Sequence, residues 1–233
     1  RYSDVAAQIE ERHTTPQDMS EGITRFCIGL TKKVVVANAA GKLVEQYLNA
    51  PLQELSVAGA WFGVLLYSIQ LYYDFSAYSD MAIGLGRMFG FHYHTNFNYP
   101  YLAKSVTDFW RRWHISLGSF FRDYVYIPLG GNRCSAGRQM LNMLAVWALT
   151  GIWHGANWNF ICWGLYYFVL LAAEKLFLLP YLKKGRVWPH LYTLFLVVVG
   201  WAMFVGNDTG VSFGLLFQKL FIPSGGVSPP VSY

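Results

Sequence analysis

One histidine stands where an imidazole is costly to place, and a second lies on the flank of a basic amphipathic segment, where an interfacial role is the competing use. His154 sits in "LTGIWHGANW" (149–158), between Trp153 and Trp158, at the end of the run "QMLNMLAVWALTGIW". That run offers few polar partners and no acid, and "NFICWGLYYFVLLAAE" after it is equally apolar. Ionisable groups inside apolar spans cost several kcal/mol and are functional by default. His114 lies in "DFWRRWHISLGSFFRDY" (108–124) beside Arg111 and Arg112. Neutral imidazole is the side chain best matched to general-base work near pH 7. The apolar walls that make His154 expensive also favour the uncharged form a base requires. Such a residue suits proton abstraction at a site from which water is kept out.

Arginine's forked donors match phosphate, so Arg111 and Arg112 are candidates for holding an anionic donor; headgroup contact is the competing use. Trp153 and Trp158 suit a wall or an interfacial anchor. Asn157 is a local donor if the helix continues past His154 and a cap if it ends, with capping preferred. Catalytic zinc usually takes three protein ligands, and the pair His92-x-His94 lies in a polar loop, so no metal is expected. Gly130-Gly131 reads as a turn, since the spacing of a phosphate loop and its Lys-Ser/Thr are missing. Cys27, Cys134 and Cys162 form no disulfide or metal pattern.

The elements that must position these residues are helical. Hydrophobic residues make up 54% of the 233-residue chain and charged ones 13%, against about 25% charged in a soluble domain. The apolar runs lack period-two alternation, which excludes a barrel. The net charge of +5 falls between the apolar runs; it fits cytoplasmic loops of a membrane protein rather than nucleic-acid binding. Thr15-Pro16-Gln17-Asp18 marks a helix start, and Lys32 and Lys33 interrupt the face that follows, by a partial crossing or by snorkelling. Span candidates are 57–73, 140–154, 158–179 and 191–205. Segment 74–91 carries Asp74 and Asp80, expected in structural pairs with Arg87 or another helix, and Ala82, Gly84 and Gly86 for close approach. A connector covers 92–108, an amphipathic basic helix 105–125 with His114 on its flank beside Trp110 and Phe121, a Gly-rich loop 126–139 and a basic loop 180–190. By loop charge, 104–138 and 183–186 share the cytoplasmic side. The short runs around His154 either cross as two spans or re-enter with buried tips. The start at Arg1 and the loop-like "SGGVSPPVSY" are expected of an internal fragment, with no second domain across 1–233.

The stretches "DFSAYSDMAIGLGRMFGF", "NFNYPYLAKSVTDFWRRWHISLGSFFRDYVYIPLGGNR" and "LTGIWHGANW" resemble the membrane-bound O-acyltransferase family, in the branch that O-acetylates alginate and peptidoglycan. A branch that transfers D-alanine to teichoic acid is a more distant likeness. The resemblance runs from the start through Trp201; Ala77 stands where relatives often have Gly. It implies an all-α, polytopic transmembrane protein with amphipathic and re-entrant helices, in full about twice this length, in the bacterial cytoplasmic membrane. It implies His154 as the active-site histidine of the "WHG" context and His114, of "WRRWH", as its companion. The implied reaction moves acetyl from a cytoplasmic thioester, acetyl-coenzyme A or an acylated carrier protein, to a polysaccharide hydroxyl, directly or through an extracytoplasmic acetyltransferase partner. No cofactor is tightly bound in this reading. D-alanyl transfer is the alternative cargo. A proton-relaying transporter is the alternative of another class, although the repeated halves of transporters are not visible.

Overall fold

A computed structural model describes residues 2–48, 55–155, 157–208 and 213–222. The terminal stretch "SGGVSPPVSY" lies outside them. Every regular element among the described residues is helical. The order is α1 (Tyr2–Glu11), α2 (Pro16–Thr31), α3 (Asn38–Leu48), α4 (Val57–Met88), α5 (Val106–Arg112), α6 (Ile115–Phe121), α7 (Ala136–His154), α8 (Trp158–Ala173), α9 (Leu179–Lys184), α10 (Trp188–Asp208) and α11 (Phe213–Phe221). Wider π turns at Lys32–Ala37 and Glu174–Leu178 join α2 to α3 and α8 to α9 without a break.

The helix start at Thr15 is a full capping box: Thr15 Oγ1 accepts from the Asp18 N–H, and the Asp18 carboxylate accepts from the Thr15 N–H. Those bonds to Thr15, with help from Arg87, hold the Asp18 carboxyl below its ordinary range. Segment 57–73, read as a span that runs straight into 74–91, does so as one helix through Met88. At 1.5 Å per residue its 32 residues extend about 48 Å. Its polar half continues because α2 and the π turn after it neutralise it. Asp80 receives Arg25 Nη2 at 3.0 Å and Lys32 Nζ at 2.6 Å, and Asp74 pairs with Lys33 at 2.5 Å. Lys32 therefore turns to the mostly buried Asp80 and Lys33 to the half-exposed Asp74 rather than snorkel. Arg87 pairs with Asp18 and Glu21 instead of Asp74 or Asp80.

The backbones of α2 and α4 touch where Gly22 meets Gly84. A Cβ on Gly84 would lie 2.6 Å from the Gly22 carbonyl oxygen. Gly84→Ala is expected to destabilise the protein by about 1–3 kcal/mol through overpacking against rigid backbone, read as a lower unfolding midpoint in detergent.

Two helical stretches, Trp158–Lys184 and Trp188–Val205, are long and apolar enough to cross a membrane. The second is central: 56% of it is buried inside the protein, against 28% of the first. Around it α4, α5 and α8 pack a largely aromatic core of Phe109, Trp113, Trp163, Tyr167 and Trp201. The outer faces of α7 and α8 expose Leu141, Ile152, Leu165 and Val169, apolar surface that suits lipid. The expected basic loop 180–190 is shorter than read. The helix runs on to Lys184, with Pro180 tolerated in the first turn of α9.

The expected single helix over 105–125 is two. Trp113 is extended and His114 is left-handed, with φ 47 and ψ 53, so α5 and α6 meet at a break. The apolar face of α5 is turned into the protein. Val106 and Phe109 are fully buried beneath α8 and α10.

Candidate active site

The break at His114 is made from outside. Residues 96–98 run alongside it. The Asn98 N–H donates to the Arg112 carbonyl at 2.9 Å, and the Ile115 N–H donates to the Asn96 carbonyl at 3.0 Å. These bonds occupy backbone groups that a continuous helix would have used and hold a non-glycine residue in a sparsely populated conformation, a cost of about 1–3 kcal/mol. His114 packs edge-on to Phe75, with ring centres 4.8 Å apart, and 6.1 Å from Trp153. It does not sit beside Trp110 and Phe121 as expected, because the break re-aims it.

His154 is the last residue of α7. The helix ends there because Gly155 takes φ 153, and a Cβ at that position would stand 2.9 Å from the Phe160 ring. The imidazole is enclosed by aromatic rings: Trp153 at 4.9 Å, Phe204 at 5.1 Å, Trp163 at 5.2 Å and Phe160 at 5.8 Å. Among the described residues it has no hydrogen-bond partner.

Both imidazoles line one cavity of about 860 Å³. Its walls are mostly aromatic and aliphatic, among them Phe75, Trp110, Trp147 and Trp163, and Arg111, Arg122 and Lys175 also line it. Arg122 is engaged by its neighbour Asp123 at 2.7 Å. Lys175 donates to Asn132 Oδ1 at 3.0 Å, and neither it nor Arg111 has an acid partner among the described residues. The cavity therefore combines two uncharged-acceptor candidates, apolar walls and an excess of cations.

The other sequence candidates divide. Arg111 lines the cavity. Arg112 does not: it bonds Asp108 at 2.9 Å, the i,i+4 pair expected, and leans toward the Asn98 carbonyl. Trp153 is more than half exposed and touches both imidazoles from outside. Asn157 caps α8, its Oδ1 accepting from the Asn159 N–H at 3.1 Å, and the helix end at Gly155 removes it from the cavity wall. Gly130 and Gly131, both at positive φ, form a turn.

Two participants were not foreseen. Asn96 places its side-chain oxygen 3.3 Å from His114 Nδ1. Glu174, fully buried, accepts from the Val106 N–H at 2.7 Å and from the Thr107 N–H and hydroxyl at 2.8 and 2.6 Å, tying α5 to the end of α8. The sequence signal for Glu174 was an acid ending an apolar run; for Asn96 there was only its place in a turn-rich connector.

The model of the membrane-bound O-acyltransferase family matches residues 2–212. A probable alginate O-acetylase of Pseudomonas aeruginosa is 43% identical over 224 residues, 95% of this chain and 42% of that protein. A peptidoglycan O-acetyltransferase of Helicobacter pylori is 41% identical over 75% of this chain and 33% of its own length. A teichoic acid D-alanyltransferase of Bacillus subtilis is 30% identical over 67% of this chain and 41% of its own length. The chain thus spans well under half the length of these curated relatives. A match over residues 2–212, a range that contains both histidines and the residues lining their cavity, places the chain in one family: the protein is a member of the membrane-bound O-acyltransferases.

Proposed function

We propose that the protein is an O-acyltransferase of a bacterial cytoplasmic membrane, moving acetyl from a cytoplasmic thioester toward a polysaccharide hydroxyl outside. The observation that carries this reading is the shared cavity: two imidazoles and a group of cations opening onto one aromatic-walled space. The names of the alginate and peptidoglycan relatives support acetyl and polysaccharide as cargo and acceptor. A partner enzyme outside the membrane would complete delivery if the polymer does not reach the cavity itself.

In this reading the acceptor hydroxyl oxygen attacks the thioester carbonyl carbon. Its proton passes to an imidazole, the carbon–sulfur bond breaks, and the thiolate leaves and takes up the proton. His154 is the base and His114 orients the acceptor or passes the proton on. The aromatic walls exclude water, which would otherwise hydrolyse the donor. Arg111 and Lys175 hold the donor's phosphate, where guanidinium and ammonium are natural partners.

The test measures ester-linked acetate on surface polysaccharide in cells with and without the full-length protein. Acetate is expected only with it. Ester-linked D-alanine in its place would overturn acetyl as the cargo, and no ester of either kind would overturn the enzyme reading. Arg111→Ala is expected to raise KM for the donor roughly tenfold, a loss of about 1.4 kcal/mol in binding, with kcat nearly unchanged. The check is initial rates in membranes over a donor series.

A further inference from the structure

We propose that Asn96 is a positioning residue that holds His114 as the tautomer protonated on Nδ1, leaving Nε2 as the bare nitrogen toward the cavity. The inference rests on the proposed role of His114 and deepens it.

The argument begins with which atom of the Asn96 amide faces His114. The Ser116 backbone N–H points at it from 3.0 Å. A backbone N–H only donates, so the facing atom is the carbonyl oxygen and not the amide nitrogen. The Ser116 hydroxyl lies 2.9 Å from the same oxygen and 3.5 Å from His114 Nδ1. Its single proton therefore goes to the nearer oxygen. His114 Nδ1, 3.3 Å from an oxygen that can only accept, supplies the hydrogen of that contact and shares the oxygen's two lone pairs with the two Ser116 donors. In a neutral imidazole a proton on Nδ1 leaves a lone pair on Nε2. His114 lines the cavity, and Nε2 is the nitrogen not engaged by Asn96.

The backbone makes the arrangement specific. The Asn96 carbonyl takes the Ile115 N–H while its side-chain oxygen takes the Ser116 N–H and meets the His114 ring, so one residue holds both the imidazole and the backbone that follows it. Side-chain orientation and imidazole tautomer are thus set together. A hydrogen bond that selects a histidine tautomer from behind decides whether the front nitrogen accepts or donates a proton. With Nε2 bare, His114 can accept a hydrogen bond from the acceptor hydroxyl and orient it, or take up the proton that His154 has abstracted; with Nε2 protonated it can only donate.

The experiment uses the full-length protein in lipid bilayers, labelled with 15N-histidine, and solid-state NMR at neutral pH. The signal lost in His114→Gln identifies this residue among the protein's histidines. The expected result is an Nδ1-protonated ring in wild type, shifting to Nε2-protonated in Asn96→Ala, where Ser116 is left to donate to Nδ1. An Nε2-protonated ring in wild type, or no change in Asn96→Ala, overturns the proposal. In cells at matched protein levels, Asn96→Ala is expected to lower ester-linked acetate on the order of tenfold to a hundredfold, within the usual worth of a general base. Asn96→Asp, which keeps an acceptor oxygen, is expected to retain most of it. Equal losses in both variants would overturn the tautomer role in favour of a purely structural one. Full acetylation in His114→Gln would instead sink the catalytic reading of His114 and leave the NMR result standing.

Discussion

His154→Ala is expected to remove ester-linked acetate from the surface polysaccharide below detection. A positioned general base contributes typically 10²–10⁴-fold, and loss of that order leaves too little product to measure. The substitution should spare the fold. The imidazole has no hydrogen-bond partner among the described residues, so its removal strands none of their donors or acceptors. What is lost is ring contact with Trp153, Phe160, Trp163 and Phe204, and His154→Gln restores part of that volume without restoring a base. Both variants should reach the membrane at wild-type abundance and fail in transfer. Acetate at wild-type levels in either would end the base role of His154 and move it to His114, whose Gln variant is the next measurement.

Glu174→Ala is expected to cost about 2–5 kcal/mol, because it leaves buried hydrogen-bond donors without their acceptor. Three donors converge on this carboxylate, two of them the backbone N–H groups of Val106 and Thr107 at the start of α5. Without it, the first turn of a seven-residue helix is buried with its donors unmade, each at about 1–3 kcal/mol. The substitution acts on the site as well, because α5 carries Arg111 and ends at the His114 break. Glu174→Gln keeps the shape but turns an amide N–H₂ toward donors, and should recover only part of the loss. The check is the unfolding midpoint in detergent, followed by tryptophan fluorescence, beside transfer activity. An unchanged midpoint for Glu174→Ala would mean that the carboxylate does not hold α5 in place.

The helical class, the apolar stretches and several boundaries are local properties, and so they were legible in the chain. Thr15, Pro16 and Asp18 lie within one turn of each other and make their capping box without outside help. Asn157 likewise caps from its own segment. The composition required a helical protein suited to lipid, and the isolation of His154 among apolar residues marked it for chemistry because a buried imidazole is seldom without purpose.

The remainder depends on partners far along the chain. Nothing between Asp108 and Tyr124 signals a break: no proline interrupts, and the apolar face repeats at helical spacing. The break exists because residues 96–98 supply hydrogen bonds that compete with the helix at Arg112 and Ile115. Asp80 was expected to pair with Arg87 or with another helix, and only the fold selects the second, with Arg25 of α2 and Lys32 of the π turn beyond it neutralising the acid. Glu174 looked like a charge at the end of an apolar run until α5, 67 residues away, brought its N–H groups to it.

By itself the sequence determined which residues are costly to bury and what chemistry would justify them, since burial cost and protonation follow from residue type and near neighbours. Only the tertiary structure decided that the two histidines share one cavity, that Arg111 joins them while Arg112 turns away, and that Asn96 stands behind His114. Those outcomes turn on the direction of side chains at a helix break, and that direction is set by hydrogen bonds between segments the sequence does not place side by side.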